Sequence, residues 1–403
     1  MTKKTMVKLV SKDKCTGCSA CFNACKVGAI SMETNETGFW FPEIKNSKCI
    51  ECGACMRSCP VLEKLEYKSI EPHAFIVQNK DDEIRKQSTS GGAFTAIAKY
   101  VIKKGGVVFG AAIDENYDVS HIWINNEFDI AKFRSSKYVQ SWIGKAYQEA
   151  ESFLKNGGGL CCFSGTPCQI YGLKKYLGRD YENLITVCVM CRAVPSPKVL
   201  HKYLEVQREK YPSFDRITFR DKGRGYSYSG VALYQGEKIL YRGGSESDPW
   251  LRLFLGGFCN RDACHECIFQ DGERASDITM WDCWETQVYA PEWDDNKGTT
   301  NIIVWTNKGN KIIEDSNELR VKEIGIKNID ANLKRLPLKK PEFDQTAFFI
   351  DCSTLTAKKF IDKYVPNTAI VRMKKLVRCF MHTLHLHDTV RKAVHRIRKA
   401  MKH

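Results

Sequence analysis

The sequence lacks the features that would carry a chain into or across a membrane. No stretch approaches the roughly 18 consecutive apolar residues of a membrane span. The opening segment, MTKKTMVKLVSKDK, carries charges but no apolar run of the length that a signal peptide needs. These absences predict a protein that is made and kept in the cytoplasm, where thiols stay reduced.

The sequence also lacks a glycine-rich dinucleotide fingerprint and a strongly basic body. No G-x-G-x-x-G follows a predicted strand, so a Rossmann-type nicotinamide site is not expected. The formal net charge is +15, but ten basic residues and one acidic residue lie between Arg372 and His403, which gives this tail a charge of +9. Because the rest of the chain is only mildly basic, no nucleic-acid partner is expected.

Cysteine, in contrast, is abundant. The chain has 403 residues, which predicts two or three domains, and 19 of them are cysteines. In a reducing compartment so many thiols argue against a disulfide scaffold and for metal ligation or redox chemistry.

Eight of the cysteines form two tetrads with the same spacing, C-x2-C-x2-C-x3-C. The first lies in KCTGCSACFNACKVGAI and the second in KCIECGACMRSCP. Thiolates are soft ligands that suit iron–sulfur clusters, and in bacterial two-cluster ferredoxins the fourth cysteine of each run binds the other cluster. The spacing therefore predicts two 4Fe–4S clusters, one held by Cys15, Cys18, Cys21 and Cys59, the other by Cys49, Cys52, Cys55 and Cys25.

Zinc is the alternative metal, because zinc sites often use two C-x2-C pairs as ligands. Zinc gives no reason for a third cysteine at the same interval and a fourth after three residues, twice over. Gly17 and Gly53 lie inside the two loops, where the backbone must come close to inorganic sulfide. Pro60 follows the second tetrad as in ferredoxins, whereas Lys26 replaces the first proline. The insert SMETNETGFWFPEI predicts a hairpin, so the segment resembles a dicluster ferredoxin.

Beyond this segment, predicted strands and helices alternate. Apolar runs such as VVFGAAI and LITVCVM predict buried strands, and Thr166 followed by Pro167 predicts the start of a helix. From about Phe214 the pattern becomes richer in strands. Alternation of this kind predicts an α/β core.

Five segments occur in a characteristic order between Pro72 and Val321: STSGGAFTAI, RSSKYVQS, SGTPCQIYGLKKYLG, CRAVPSPKVLHKYL and CHECIFQDGERASDIT. In this order they resemble the coenzyme F-420 hydrogenase/dehydrogenase beta-subunit family. Many members carry CHG where this chain has CRA, at Cys191 to Ala193, so a role for that histidine does not transfer. The resemblance implies bound FAD, a further 4Fe–4S cluster in the body, and electron transfer between clusters, flavin and a substrate.

The resulting fold class is α+β or α/β and multidomain, with a bacterial-type dicluster ferredoxin fold, a mixed α/β flavin-binding body and a basic C-terminal helix. The expected divisions are residues 1–67 for the ferredoxin-like domain, 72–155 and 156–350 for the N- and C-terminal parts of the family, and 351–403 for a basic amphipathic tail.

Four cysteines are predicted to hold the further cluster. They are the C-x2-C pair Cys264 and Cys267, Cys168 at a turn that enters a helix, and Cys191 at the end of a strand. Alternatives remain at Cys161, Cys162, Cys188, Cys259 and Cys283. Cys352 and Cys379 are expected to be small buried apolar side chains.

The flavin site is predicted at three short segments. Ser90, Gly91 and Gly92 form a turn before a helix, where backbone amides attract a phosphate. Lys137 is assigned to the pyrophosphate or the neighbourhood of the ring. Gly165 and Thr166 are assigned to the approach to the ring. The alternatives are an ordinary capped turn and a solvated lysine.

The function expected from these parts is electron transfer between a ferredoxin-like or other redox protein, the clusters and FAD, with a small organic substrate or a deazaflavin coenzyme at the flavin. Neither the direction of flow nor a catalytic residue is assigned. The alternative is a non-catalytic subunit that relays electrons to a separate catalytic protein.

The tail has helical periodicity, with Leu376, Phe380 and Leu384 on one stripe and basic residues around it. This pattern predicts a helix that lies on an anionic membrane surface. Docking on a partner or on the body is the alternative. Val390, Val394, Ile397 and Met401 continue the stripe, and His382, His385 and His387 could bind metal but are expected to be solvated.

Overall fold

The N-terminal region of this computed structural model contains two short helices and, as the insert between the tetrads predicts, a hairpin. The structure describes residues 7–63, 65, 69–157, 159–270, 275–327, 329, 342–384 and 386. The strands are β1 Ile30–Thr34, β2 Trp40–Ile44, β3 His73–Asn79, β4 Val107–Ile113, β5 Val119–Ile124, β6 Cys161–Gly165, β7 Leu184–Val189, β8 Arg216–Asp221, β9 Gly230–Gln235, β10 Lys238–Gly243, β11 Ile278–Asp282, β12 Thr300–Val304 and β13 Leu319–Ile324.

The helices are interspersed with the strands along the chain. They are α1 Ala20–Ala24, α2 Ala54–Arg57, α3 Asp82–Gln87, α4 Ala93–Lys103, α5 Ala146–Lys155, α6 Pro167–Leu177, α7 Pro197–Lys210, α8 Pro249–Leu255, α9 Thr286–Tyr289, α10 Asn307–Glu314, α11 Gln345–Thr354, α12 Ala357–Tyr364 and α13 Ala369–Thr383. Within the described residues, four short 3-10 helices lie at Phe128–Phe133, Tyr226–Tyr228, Asp262–Cys264 and Pro291–Trp293.

An eight-stranded mixed sheet organises the body, in the order β13-β3-β12-β11-β7-β6-β4-β5. The four strands β4, β6, β7 and β11 run parallel, and antiparallel strands flank them on both sides. A second sheet of three antiparallel strands has the order β10-β9-β8, and β1 pairs with β2 in the N-terminal hairpin. Parallel strands bring their carboxyl ends to one edge of a sheet, which is where such folds hold ligands.

Helices cover both faces of the large sheet. Alternate residues of β4 point to opposite faces, so Val108 packs with Ile97 and Val101 of α4, whereas Phe109 packs with Ile170 and Leu173 of α6. A third core contains α7, α8, α11 and α12, and the hairpin residues Phe39 and Phe41 belong to it. The N-terminal hairpin is therefore packed into the body.

The local predictions agree with these elements. The run VVFGAAI is β4, and α6 begins at Pro167 with Thr166 as its N-cap, in a capping box with Gln169. The expected division between residues 350 and 351 falls inside α11, where Phe348 is buried, and Phe360 is buried in the next helix, α12. The packed body thus continues to about Val365, because α11 and α12 carry its apolar side chains.

The C-terminal helix α13 forms where the periodicity predicts one. Leu376, Phe380 and Leu384 are exposed. The remaining predicted stripe, Val390, Val394, Ile397 and Met401, lies outside the described residues, as do His385 and His387. Among the helices that the structure describes, none has the length and apolar composition of a membrane span.

Candidate functional site

The four cysteines Cys15, Cys18, Cys21 and Cys59, which we refer to as the inner tetrad, lie against the body. Cys15, Cys18 and Cys59 are buried. The pKa of Cys18 is raised to about 12, chiefly by burial, with nearby Cys168, Cys15 and Cys59 acting in the same direction. The pKa of Cys21 is raised by burial and then by Cys18, Cys15 and Cys59. Thiols this close together and this buried need a positively charged iron core to be held as thiolates.

The four cysteines Cys25, Cys49, Cys52 and Cys55, which we refer to as the outer tetrad, line one small cavity near the surface. Cys52 is exposed. Burial raises the pKa of Cys55, and the neighbouring thiols of Cys25 and Cys52 act in the same direction. The structure thus brings each predicted set of four together, including the exchanged fourth cysteines Cys25 and Cys59. In the described part of the chain, no group of three or more His, Cys, Asp or Glu side chains is arranged around a single metal ion.

Three of the four cysteines assigned to the further cluster meet beside the inner tetrad. The pKa of Cys264 is raised to about 12, chiefly by burial, with nearby Cys168 and Cys267 acting in the same direction. Cys168 also neighbours Cys18, and Thr16 of the first cluster loop hydrogen-bonds to it. Cys191 lies instead on the wall of the large cavity described below. The structure therefore brings three of the four cysteines together, and all four remain predicted ligands of the further cluster.

The alternative cysteines are buried in the strands or cores of the body. Cys161 and Cys162 belong to β6 and Cys188 to β7, while Cys259 and Cys283 are buried elsewhere. Cys352 is buried as expected. Cys379 differs from the expectation, because it is only partly buried and Arg224 Nη1 lies 2.8 Å from its sulfur.

A cavity of about 530 Å³ opens at the carboxyl edge of the parallel strands. Gly165 at the end of β6, Cys191 just after β7 and Asp282 at the end of β11 all line it. Thr166 lines it as well, and its Oγ1 is 3.3 Å from the sulfur of Cys168. Thr166 therefore contacts both the cavity and Cys168, which neighbours the inner tetrad.

The turn Ser90–Gly92 leads into α4 at the wall of this cavity. Ser90 and Gly92 line it, and the Gly91 amide donates to Thr300 Oγ1 at 2.8 Å. A Cβ on Gly91 would lie 2.5 Å from the Val77 carbonyl oxygen, so only glycine lets the turn approach the sheet. Gly92 is the N-cap of α4 with a φ of 79°, a left-handed conformation that favours glycine. The first turn of α4 thus faces the cavity.

The cavity wall is rich in cations. Lys137 lines it, and the Lys137 Nζ donates to the carbonyl oxygens of Lys132 and Arg134 at 2.8 and 2.9 Å. Burial of the ammonium lowers the pKa of Lys137 to about 7. Arg134, Arg192 and Arg220 also line the cavity. Among the described lining residues Asp282 is the one carboxylate, and it pairs with Arg220 at 2.9 Å. The wall therefore suits an anionic ligand.

Several cavity residues were not predicted from the sequence. Arg134, Arg192 and Arg220 were missed, and so were His121 and Trp284. His121 stacks on Phe163, and burial lowers the pKa of His121 to about 4, so the ring is neutral at physiological pH. Trp284 stacks on Tyr226 at a centroid distance of 4.6 Å. The available signal was that Asp282 ends the strand β11 and Trp284 follows it, at the carboxyl edge of the sheet.

Comparisons with known proteins agree with this arrangement. Residues 159–329 match the family model for the C terminus of the coenzyme F420 hydrogenase/dehydrogenase beta subunit, and residues 74–147 match the model for its N-terminal part. Residues 14–62 and 41–94 match two models of 4Fe–4S dicluster domains.

One curated relative is the coenzyme F420-dependent sulfite reductase of Methanocaldococcus jannaschii. It is 25% identical over 261 residues, which cover 63% of this chain and 38% of that protein. The chain thus spans well under half of the length of this relative. A chain of the F420-reducing [NiFe] hydrogenase complex from Methanosarcina barkeri aligns with a TM-score of 0.44 and 18% identity, over 75% of this chain and 92% of that chain.

The two beta-subunit models together span more than half of the chain, in the order and positions of the two parts of the body. The cysteine tetrads lie within the match to a dicluster domain, which places iron–sulfur clusters at the N-terminal end. This chain therefore belongs to the coenzyme F420 hydrogenase/dehydrogenase beta-subunit family and carries a 4Fe–4S dicluster domain at its N terminus.

Proposed function

We propose that this protein is an iron–sulfur flavoprotein oxidoreductase in which the cavity holds FAD. Electrons pass between a ferredoxin-like partner, the outer and inner tetrads, a third cluster that includes Cys168, and the cavity. The observation that carries the proposal is the position of Thr166, which lines the cavity and touches Cys168. When bound, an isoalloxazine exchanges hydride or single electrons and a cluster passes one electron, so the pair links the two kinds of chemistry.

The residues of the cavity have distinct proposed roles. The amides at the start of α4 and the Lys137 ammonium bind the pyrophosphate, because both attract anions. Gly165 and Thr166 lie at the end of β6, next to Cys168, and border the ring. His121 stays neutral, and His121 Nε2 lies 3.0 Å from the Ser164 carbonyl oxygen, which orients this imidazole. Trp284 and Arg220 lie beside a planar, anionic substrate or a deazaflavin coenzyme.

The partner contact is proposed at the outer tetrad, since Cys52 is exposed there. Val27 and Ile50 beside it are exposed apolar side chains. The exposed cations Lys26, Lys45, Lys48 and Arg57 outnumber the acids Glu43 and Glu51 in the same segments. An apolar centre with a basic rim suits an acidic redox protein.

The composition of the purified protein tests the main proposal. Protein isolated without oxygen should hold about twelve iron atoms and one FAD per chain, and Cys52→Ser should lose one cluster and slow reduction by the partner. Iron without flavin would favour the alternative, a non-catalytic subunit that relays electrons to a separate catalytic protein. Colourless protein would exclude both.

Flavin binding has its own pH dependence. Because the pKa of Lys137 is lowered to about 7 in the free protein, an adjacent phosphate must favour proton uptake above that pH. The Kd of FAD should therefore rise above pH 7 by up to about tenfold per pH unit. Lys137→Gln should weaken binding by roughly tenfold or more and remove this slope, as followed by flavin fluorescence. Lys132→Gln is the matched control, since that side chain is exposed.

We also propose a cytoplasmic location in which α13 lies on the inner face of an anionic membrane. Arg378 pairs with Glu246 at 2.7 Å and so fixes the helix to the body. Ile370, Met373 and Leu376 on the same helix are exposed. A double variant, Leu376→Glu with Phe380→Glu, should abolish sedimentation with anionic vesicles. Equal sedimentation of variant and wild type would exclude the contact.

A further inference from the structure

Arg261 is buried between the N-terminal domain and the body, with 1% of its surface exposed. Arg261 Nε donates to the Cys15 carbonyl oxygen at 2.6 Å, and Nη2 donates to the Trp40 carbonyl oxygen at 3.0 Å. Nη1 donates to Gln140 Oε1 at 3.4 Å. The guanidinium carbon lies 4.2 Å from the centre of the Phe41 ring. The Phe39 ring lies 5.2 Å away, so the partners of Arg261 are two carbonyls, an amide and two aromatic rings.

None of these partners carries a negative charge. In the described part of the chain, no carboxylate forms an ion pair with Arg261, whereas the other arginines buried to a similar degree have one. Arg85 pairs with Asp295 at 2.7 Å and Arg220 pairs with Asp282 at 2.9 Å. A buried cation without a counter-charge is costly, so the surroundings of Arg261 call for an anion of another kind.

Thiols provide that anion once they bind iron. Arg261 contacts the backbone of Cys15, and it favours the thiolate forms of Cys168 and Cys264. The inner tetrad and the Cys168 group therefore share this one buried cation. Clusters bound by four thiolates are net anions, and their potentials depend on nearby charge, hydrogen bonds and exposure.

The first cluster loop leaves room for the guanidinium. Gly17 has a φ of 68°, and a Cβ there would lie 2.9 Å from Arg261 Nη1 and 2.5 Å from Gln140 Nε2. In the second loop the equivalent position is Glu51, which keeps a side chain at a φ of 54°. The backbone conformation alone therefore does not require glycine at position 17. Glycine is required there because Arg261 and Gln140 leave no room for a Cβ.

We propose that Arg261 sets the reduction potential of the inner cluster, and this inference rests on the proposed function. One electron that leaves the outer cluster and arrives at the inner one adds a negative charge there, with no proton. Burial disfavours that extra charge. The fixed cation of Arg261 offsets this effect, because a charge in a buried site acts with little screening. The inner cluster thus stays reducible from the outer one.

Redox titration of the holoprotein tests this, with both clusters followed by EPR in the same sample and assigned with Cys52→Ser. Arg261→Gln should make the inner cluster harder to reduce by at least tenfold, which is 59 mV for one electron. The outer cluster should not shift and is the internal control. Arg261→Lys keeps the charge and should retain most of the potential.

A second variant leaves the arginine in place. Gln140→Glu is nearly isosteric and puts a carboxylate beside Arg261, so it should shift the inner potential in the same direction as Arg261→Gln. An unchanged inner potential in iron-replete Gln140→Glu would overturn the proposal, and so would equal shifts in Arg261→Lys and Arg261→Gln. Loss of iron from both Arg261→Gln and Gln140→Glu would assign these residues a structural role only. Wild-type protein without iron would instead mean that the proposed function has failed.

Discussion

The inner and outer tetrads have the same spacing but very different surroundings. Cys18 of the inner tetrad is buried against Gly172 of α6, whose added Cβ would lie 3.1 Å from the Cys18 sulfur. Its equivalent in the outer tetrad, Cys52, is exposed. The same local motif therefore serves two tasks. One copy faces a partner, and the other is built into the body that holds the cavity.

The loops of the two tetrads show that contact with the body restricts the residue type in the inner tetrad only. Both loops pass through left-handed conformations at the same two positions, Gly17 with Ser19 and Glu51 with Gly53. Each loop has one glycine at these two positions, the first position in the inner loop and the second in the outer loop. At Gly17 the reason is contact with Gln140 and Arg261, and a Cβ at Gly53 would meet only the end of the Arg57 side chain, at 3.1 Å.

The largest effect of the difference between the two tetrads is expected when a cluster ligand is removed. Cys18→Ser and Cys52→Ser should each lose about four iron atoms, but only Cys18→Ser should also loosen the contact with α6. The thermal midpoint of the body should fall clearly in Cys18→Ser and by less than about 2 °C in Cys52→Ser. Iron analysis with calorimetry measures both. Equal changes in stability would mean that the inner tetrad does not support the body.

A smaller effect is expected from adding one methyl group. Gly17→Ala should destabilise the folded protein by about 1–3 kcal/mol through overpacking, in addition to about 1 kcal/mol for the left-handed backbone. Gly28→Ala isolates the backbone cost, because Gly28 has a φ of 62° and nothing within 4 Å of an added Cβ. Glu51→Ala should change stability by less than about 0.5 kcal/mol. Anaerobic denaturant titration compares the three variants.

The smallest effect concerns the charge around each tetrad. Lys48→Glu, beside the outer tetrad, should slow reduction by an acidic ferredoxin roughly threefold at low salt, since rim charges act mainly on association rates. The difference should disappear at about 1 M salt. Lys12→Glu is the matched control, because Lys12 is also exposed but lies next to the inner tetrad. A slower rate in Lys12→Glu alone would move the partner contact to the other side of the domain.

Much of the local structure could be predicted from the sequence. Apolar runs fixed the strands β4 and β7, and Thr166 with Pro167 marked the start of α6, because these signals depend on neighbouring residues. The extent of the body was not predictable in this way. Phe348 and Phe360 belong to the same buried core as α7, and no local pattern states which distant helix an apolar stripe will meet.

The six predicted flavin residues show the same division. Five of them, Ser90, Gly92, Lys137, Gly165 and Thr166, line one cavity, and Gly91 supports the turn through Thr300. Their motifs could be recognised one by one. Arg220 belongs to the same wall but lies outside these motifs, and a lone arginine in a sequence is ordinarily a solvated side chain.

Spacing and periodicity are properties of short segments, so they suffice to recognise two four-cysteine motifs at the start of the chain and an α/β body after them. Three other features became visible only in the folded chain: which tetrad is buried, the position of Cys168 beside that tetrad and next to Thr166 of the cavity, and the lack of a carboxylate partner for Arg261 among the described residues. These features depend on contacts between distant segments. Burial and charge pairing at such contacts follow from the packing of the whole chain.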